Sequence, residues 1–371
     1  MQSESRRLAL HSEIRIEGND ARVTRMSYRL GEILVEMVER EKDEREGGGP
    51  RFDLHGRSES GDFEFLRSQG RPWGLPGPAR FYGFPDEVRR YYQNASWLSD
   101  LELAFEEQCE RIRYLGPLRD DPRRQYVFSG AEPQDVGRRG ELAVDALVVA
   151  ERDGRKISRG FSGGTGSPSE RKRRRLAGKS VQLVVAEWLK ELGLIHSFRV
   201  EVLDDRDTLD TVKVKRNEES AEVLLTDVGF GVSQVLPVLT LLAVAKPRDV
   251  VVLEQPEIHL HPSVQAVLAD IVVETALARD VQIVVETHSE HFLTRLQRRI
   301  AERDVSRGLR IEPDDVALYF TADEGGTGRL RELELDLFGN ITNWPENFFG
   351  DLMSDAVIMM DRAAARSRER V

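Results

Sequence analysis

Residues 250–262 read VVVLEQPEIHLHP, from Val250 to Pro262. Four successive apolar residues predict a short strand, and their β-branched character suits a strand buried on both faces of a parallel sheet. Glu254 then stands at the carboxyl end of that strand, where open α/β sheets place their ligands. An acid in that position is costly without a partner. A hydrated Mg²⁺ bridging nucleotide phosphates is the natural one, since it needs an oxygen ligand on a rigid strand end. A glutamate that caps a turn or joins an ion pair is the plainer alternative.

Two flanking stretches extend this reading. Downstream, residues 281–291 read VQIVVETHSEH, a second apolar strand that ends in Thr287, His288, Ser289, Glu290 and His291. Neighbouring strand tips of this kind present polar groups to one crevice. Upstream, residues 226–239 read TDVGFGVSQVLPVL, with Gly229 and Gly231 leading into an apolar helix that opens on Ser233 and Gln234. Glycines, free amides and a hydroxyl at a helix N-terminus make an anion site suited to a terminal phosphate. After residue 198, short apolar runs (FRVEVL, TVKVKR, AEVLL, VVVLE, VQIVVE, VALYF) alternate with helical stretches. That order predicts an α/β fold with a mostly parallel sheet.

The first half reads differently. Leu8, Leu10, Ile14 and Ile16, a Gly18-Asn19-Asp20 turn, then Val23, Met26, Tyr28 and Leu30 and the run Ile33 to Met37 predict an antiparallel meander. Gly47 to Pro85 is crowded with Gly, Pro, Arg and polar residues and reads as an irregular surface insertion. A helical stretch over 86–113 offers Val88, Tyr92, Leu98, Leu101, Leu103 and Phe105 to a core. Ser158 to Arg174 is a second Gly/Ser/Pro patch, followed by an apolar helix from Val181 to Leu194 that buries Trp188. These shifts suggest four regions: 1–110, the antiparallel β portion with its insertion and helix; 111–215, a middle helical region; 216–325, the α/β lobe; and 326–371, a C-terminal extension.

Composition sets outer limits. The formal charge of −11 argues against a protein that coats DNA over its whole surface. With 40% hydrophobic and 32% charged residues, and no apolar run near the roughly 20 residues of a membrane span, the chain reads as soluble and globular, with no membrane partner. The single Cys109 cannot close an intramolecular disulfide, and no apolar signal core follows Met1, so the expected location is the cytoplasm.

Over roughly residues 110–371 the ordered triplet GFGVSQ, VVVLEQPEIHLHP and VVETHSEH resembles the ABC-type ATPases of the RecF, SMC and OLD-like group. It looks most like stand-alone prokaryotic AAA-type ATPases that carry an EQPEIHLHP segment. The resemblance implies an ABC-ATPase-like P-loop NTPase fold, with ATP and Mg²⁺ as cofactors and ATP hydrolysis as the activity. It implies that Gly229, Gly231, Ser233 and Gln234 form the signature motif, which meets an ATP held by an opposing head. Glu254 would be the Walker B acid that binds Mg²⁺, and His288 the switch histidine. The implied partner is a second ATPase head, as homo- or heterodimer, with an effector protein or nucleic acid beyond it. Such relatives often accompany defence or DNA-maintenance genes.

Two departures from that pattern stand out. No GxxxxGK[ST] string occurs, so the fold reads as incomplete, lacking the P-loop lobe. The sole GK[ST], Gly178-Lys179-Ser180, has Arg173 where the first glycine belongs and follows a basic loop instead of a strand. In addition, Gln255 fills the slot of the usual catalytic glutamate, so hydrolysis should be slow or use Glu257 or another base. The expected protein is therefore a nucleotide-gated clamp whose P-loop comes from another chain or was lost by truncation.

Other readings stay open at this point. His259 with His261, and His288 with His291, would suit a metal-dependent hydrolase. A catalytically silent scaffold could keep the same sheet. Arg171 to Arg175, Arg119 with Arg123 and Arg124, or Arg138 with Arg139 could form local basic patches for nucleic acid. Trp73, Phe81 and Tyr82 are expected to pack on the core, and Trp344, Phe348 and Phe349 to anchor the tail.

Overall fold

The computed structural model describes residues 8–18, 20–40, 51–58, 61–70, 74–128, 130, 133, 135–162, 174–175, 177–203, 209–303, 309–323, 325–345, 358–360 and 362. Trp73, Arg171 to Arg173, Phe348 and Phe349 lie outside the described residues. The chain divides into two compact units, Met1–Arg111 and Ile112–Val371.

In the first unit, β1 (Leu8–Glu17), β2 (Asp20–Leu30), β3 (Ile33–Glu39), β4 (Phe52–Ser58) and β5 (Gly61–Asp62) form one antiparallel sheet in sequence order. Period-two alternation turns Met26, Tyr28, Val35, Met37, Phe52 and Leu54 to one face. There they meet Val88 from α1 (Asp86–Tyr91) and Leu98 and Leu101 from α2 (Leu98–Cys109). β4 lies inside the stretch expected to be irregular, because the alternating Phe52 and Leu54 find a partner strand in β3. The single helix expected over 86–113 is broken. Gln93 donates its amide to the Leu66 carbonyl at 2.8 Å, and the Tyr91 carbonyl accepts from Ser68 at 2.8 Å, so the backbone leaves the helix to pair with another segment. Leu103, expected in the core, is 56% exposed.

The second unit is built on a three-stranded parallel sheet of β6 (Ile112–Leu115), β11 (Val250–Glu254) and β12 (Gln282–Glu286), with β11 in the middle. Register sets Tyr114 opposite Val252, and Glu254 opposite Glu286. Leu115, Val251, Leu253 and Val285 point to the face covered by α5 (Phe230–Val244) and α6 (Pro262–Arg279). Right-handed crossovers that advance in one direction across a sheet put their helices on the same side, which explains this arrangement.

The opposite face carries Ile112, Tyr114, Val250, Val252 and Val284, and among the described residues it is only partly covered: Ile112 is 49% and Val284 47% exposed. The two-faced burial expected from the valine-rich runs is therefore not observed. Composition alone cannot report which face a neighbour covers.

Around this sheet, β7 (Tyr126–Val127), β8 (Ser197–Val202), β9 (Leu209–Lys215) and β10 (Val223–Leu224) make an antiparallel group, with β9 pairing to the other three. α3 (Ala143–Arg152) and α4 (Val181–Glu191) pack on α5, with Trp188 buried among them. α7 (Glu290–Glu302) lies against α6, and β13 (Leu318–Asp323) and β14 (Gly328–Leu333) form a hairpin. Trp344, expected to anchor the tail, is 45% exposed.

Two features fix α5 in place. Arg155 donates to the Val244 carbonyl at 2.6 Å and Arg279 to the Ala243 carbonyl at 2.9 Å, so two cations satisfy the C-terminal carbonyls. Gly140, at φ 78°, passes so close that an added Cβ would lie 2.4 Å from the Pro237 Cβ.

Candidate functional site

Glu254 and Glu286 end adjacent parallel strands, and the loops after them interlock. Gln255 donates its amide to the Glu286 carbonyl at 2.8 Å. Glu257 turns back and accepts from the Thr287 hydroxyl at 2.7 Å and the His288 amide at 2.9 Å through one oxygen, Oε1. Ser289 caps α7 by accepting from the Phe292 amide at 3.0 Å and donates to Gln265 Oε1 at 2.6 Å. Gln265, on α6, donates in turn to the Leu260 carbonyl at 2.9 Å. Glu254, Gln255, Glu257 and His288 thus form one assembly at neighbouring strand tips.

The chain reverses sharply to build it. Gln255 has φ 44° and His259 φ 62°, both in the left-handed region that non-glycine residues enter only at a cost. His261 is the N-cap of α6, its ring nitrogen accepting from the Ser263 amide at 3.3 Å. The His288 side chain is largely exposed, 4.0 Å from Glu286.

Tyr114, which the sequence did not single out, and Arg119, expected in a basic patch for nucleic acid, complete the tip. A hydrogen bond to the Glu254 carboxylate holds the Tyr114 phenol above its ordinary range, with the charge of Glu254 adding to the effect. Arg119 is buried, not part of a nucleic-acid surface, and donates to the carbonyls of Glu254 and Gln255 at 3.2 and 3.3 Å. Its exposed neighbours make surface ion pairs: Arg139 and Arg123 share Asp120 at 3.0 and 3.6 Å, and Arg124 meets Asp227 at 3.5 Å. Neither Tyr114 nor Arg119 carries a local signal, since β6 is only four residues long and meets β11 across more than 130 positions.

The glycine-rich helix start approaches the same loops. Gly229 is the N-cap of α5, and a side chain at Gly231 would come within 3.7 Å of the His259 carbonyl. Ser233 and Gln234 are buried one turn into the helix, and the Ser233 hydroxyl donates to the Phe230 carbonyl at 2.9 Å. Pro237 has no amide to return to the Ser233 carbonyl, so the helical bond at that step is not made. Lys179 of the GKS string is ion-paired with Glu187, and the Ser180 hydroxyl caps α4 by accepting from the Leu183 amide at 3.4 Å.

Among the described residues no cluster of three or more His, Cys, Asp or Glu side chains could hold a metal ion. One partly exposed carboxylate, Glu254, fits a cation that keeps most of its water and shares phosphate oxygens, as Mg²⁺ does. Among the described residues, no helix is long and apolar enough to cross a membrane.

Residues 180–293 match the family described as AAA ATPase domain (AAA_15). That span contains GFGVSQ, the Glu254 strand and His288, and it supports an AAA-type ATPase domain in the second unit. Residues 311–357 match a family described as a protein of unknown function (DUF3696). No curated protein matches the chain.

Among solved structures, an SMC head bound to the C-terminal winged-helix domain of ScpA is 10% identical, with a TM-score of 0.37 over 83% of this chain and 76% of that one. A structure described for ATP-driven dimerisation and DNA-stimulated activation of SMC ATPases is 13% identical, with a TM-score of 0.32 over 42% of this chain and 84% of that one. An SMC head with coiled coil and joint from Pyrococcus yayanosii is 14% identical, with a TM-score of 0.32 over 42% of this chain and 27% of that one. Likeness at this level assigns no activity.

Proposed function

We propose that this chain contributes half of a composite ATP site and works as an ABC/SMC-like, nucleotide-gated clamp. The supporting observation is the interlocked pair of strand tips, with Glu254 partly exposed beside Tyr114 and His288 exposed on the adjoining loop. In this reading Glu254 holds the Mg²⁺ that neutralises phosphate charge, His288 contacts the terminal phosphate, and the open amides near Gly229 and Gly231 face the ATP of an opposing head. Gln255 orients water without accepting a proton, and Glu257, the other candidate, is sealed from solvent, so turnover is slow and another base takes the proton. ATP between two heads draws them together, hydrolysis lets them part, and a bound effector or nucleic acid follows that movement.

The phosphate grip itself comes from a P-loop outside these 371 residues. The partly covered sheet face supports this, because parallel sheets are stable when helices cover both sides. A strand–loop–helix unit that adds at the β12 edge would lay its helix over Ile112, Val252 and Val284 and bring its loop to Glu254.

The test combines the chain, Mg²⁺–ATP and P-loop-bearing ATPase heads encoded beside it, reading ATP-dependent association by sedimentation and phosphate release in parallel. Glu254→Ala and Ser233→Arg should each abolish the association. If neither changes association or phosphate release in any mixture, the composite site is wrong and a silent scaffold with the same sheet replaces it.

A further inference from the structure

Behind the strand tips lie two buried charges, Arg119 and Glu257, 6% and 7% exposed. Arg119 spends one nitrogen, Nη2, on the Glu254 and Gln255 carbonyls, while its Nε and Nη1 are sealed from solvent without a hydrogen-bond partner. Glu257 uses Oε1 on Thr287 and His288, and its Oε2 is likewise sealed and unpartnered. Burial pushes the guanidinium down to about 10, against the opposing pull of the Glu257 charge.

A residue needed only to fill space would be apolar at this position, since a sealed cation with unmet donors is destabilising. What Arg119 grips is also unusual. Its two acceptors flank the entry to the left-handed turn at Gln255, the conformation the chain would relax from if left alone. Glu257 leaves that turn two residues later and fastens the next tip.

The geometry points to Arg119 as a positioning residue: it clamps the Gln255 turn from behind, and Glu257 extends the clamp to Thr287 and His288, so that three strand tips move as one body. A change at His288 therefore reaches the loop after β6 through Glu257, the backbone of the Gln255 turn and Arg119. The inference concerns the same tips as the proposed nucleotide site, but it is tested without nucleotide, so either can fail alone.

Hydrogen exchange of the full chain reads the coupling directly. Arg119→Lys keeps the charge and loses the planar fork that reaches two carbonyls. It should accelerate exchange at Gln255, Ile258 and Leu260 and, equally, at His288 and Ser289, by about tenfold in each segment, as expected for the loss of one charge-assisted hydrogen bond. Val251→Ala, a core change of similar overall cost, should leave the ratio of tip to core exchange unaltered. In a Glu257→Ala background, Arg119→Lys should still loosen residues 255–260 and add nothing at 288–289. Unchanged exchange at His288 and Ser289 in Arg119→Lys, or full additivity of the two variants at those amides, overturns the proposal.

Discussion

Replacing Gly140 by alanine isolates the contact that seats α5. Gly140 has φ 78°, and a methyl group there would meet Pro237 Cβ at 2.4 Å and Cγ at 2.6 Å. Gly154 has a comparable φ of 61°, yet an added methyl would find nothing within 4 Å. Both substitutions carry the cost of a left-handed alanine, about 1 kcal/mol. Only Gly140→Ala adds steric overlap with a proline ring held in a buried helix, a further 1–3 kcal/mol or so by the usual cost of overpacking. The expected losses are about 1 kcal/mol for Gly154→Ala and about 2–4 kcal/mol for Gly140→Ala. In a unit of this size that corresponds to roughly 5–15 °C in melting temperature for the second variant. Thermal unfolding followed by circular dichroism measures both. Equal losses for the two variants would refute the claim that close approach to Pro237, and not backbone conformation, requires glycine at 140.

The strand tips yield two further predictions, and Asp336 in the C-terminal region a third. The Tyr114 phenol, raised by its hydrogen bond to Glu254, favours folding while protonated; that contribution is present below about pH 10 and is lost as pH rises through the folded-state value. Ultraviolet difference titration against Tyr114→Phe should show late ionisation, reverting toward the ordinary value in Glu254→Gln. Gln255→Gly should leave stability within about 1 kcal/mol, and Gln255→Val should cost about 1–2 kcal/mol more, because a β-branched side chain resists the left-handed turn. Urea unfolding decides between them. Asp336 accepts from the Asn340 side chain and amide, then from the Phe338 amide, and these bonds hold its carboxyl below the usual range. Its contribution is present above the unfolded value near 4 and disappears as pH falls through the folded one, so Asp336→Asn should flatten the acid limb of the stability profile.

The sequence disclosed those parts of the fold whose signals are local. Val250 to Leu253 and Ile283 to Val285 announce strands through β-branched runs, and the acid and histidine that follow them fall at adjacent tips because the two strands are consecutive in the sheet. Arg119 and Tyr114 were hidden for the opposite reason. Their place beside Glu254 depends on a pairing between β6 and β11 that no nearby residue specifies. β4 was obscured by surrounding glycines and prolines, although Phe52 and Leu54 alternate correctly within it. The inward-directed hydroxyl of Ser233 was equally invisible, since helix phase at the α5 start follows from packing.

The partly covered sheet has a consequence for how the protein can be handled. Among the described residues β12 is an edge strand, with Val284 exposed on it and an adjoining apolar surface. Such an edge recruits any extended polypeptide, including another molecule of the same kind. Concentration, more than heat, should then limit the yield of monodisperse material.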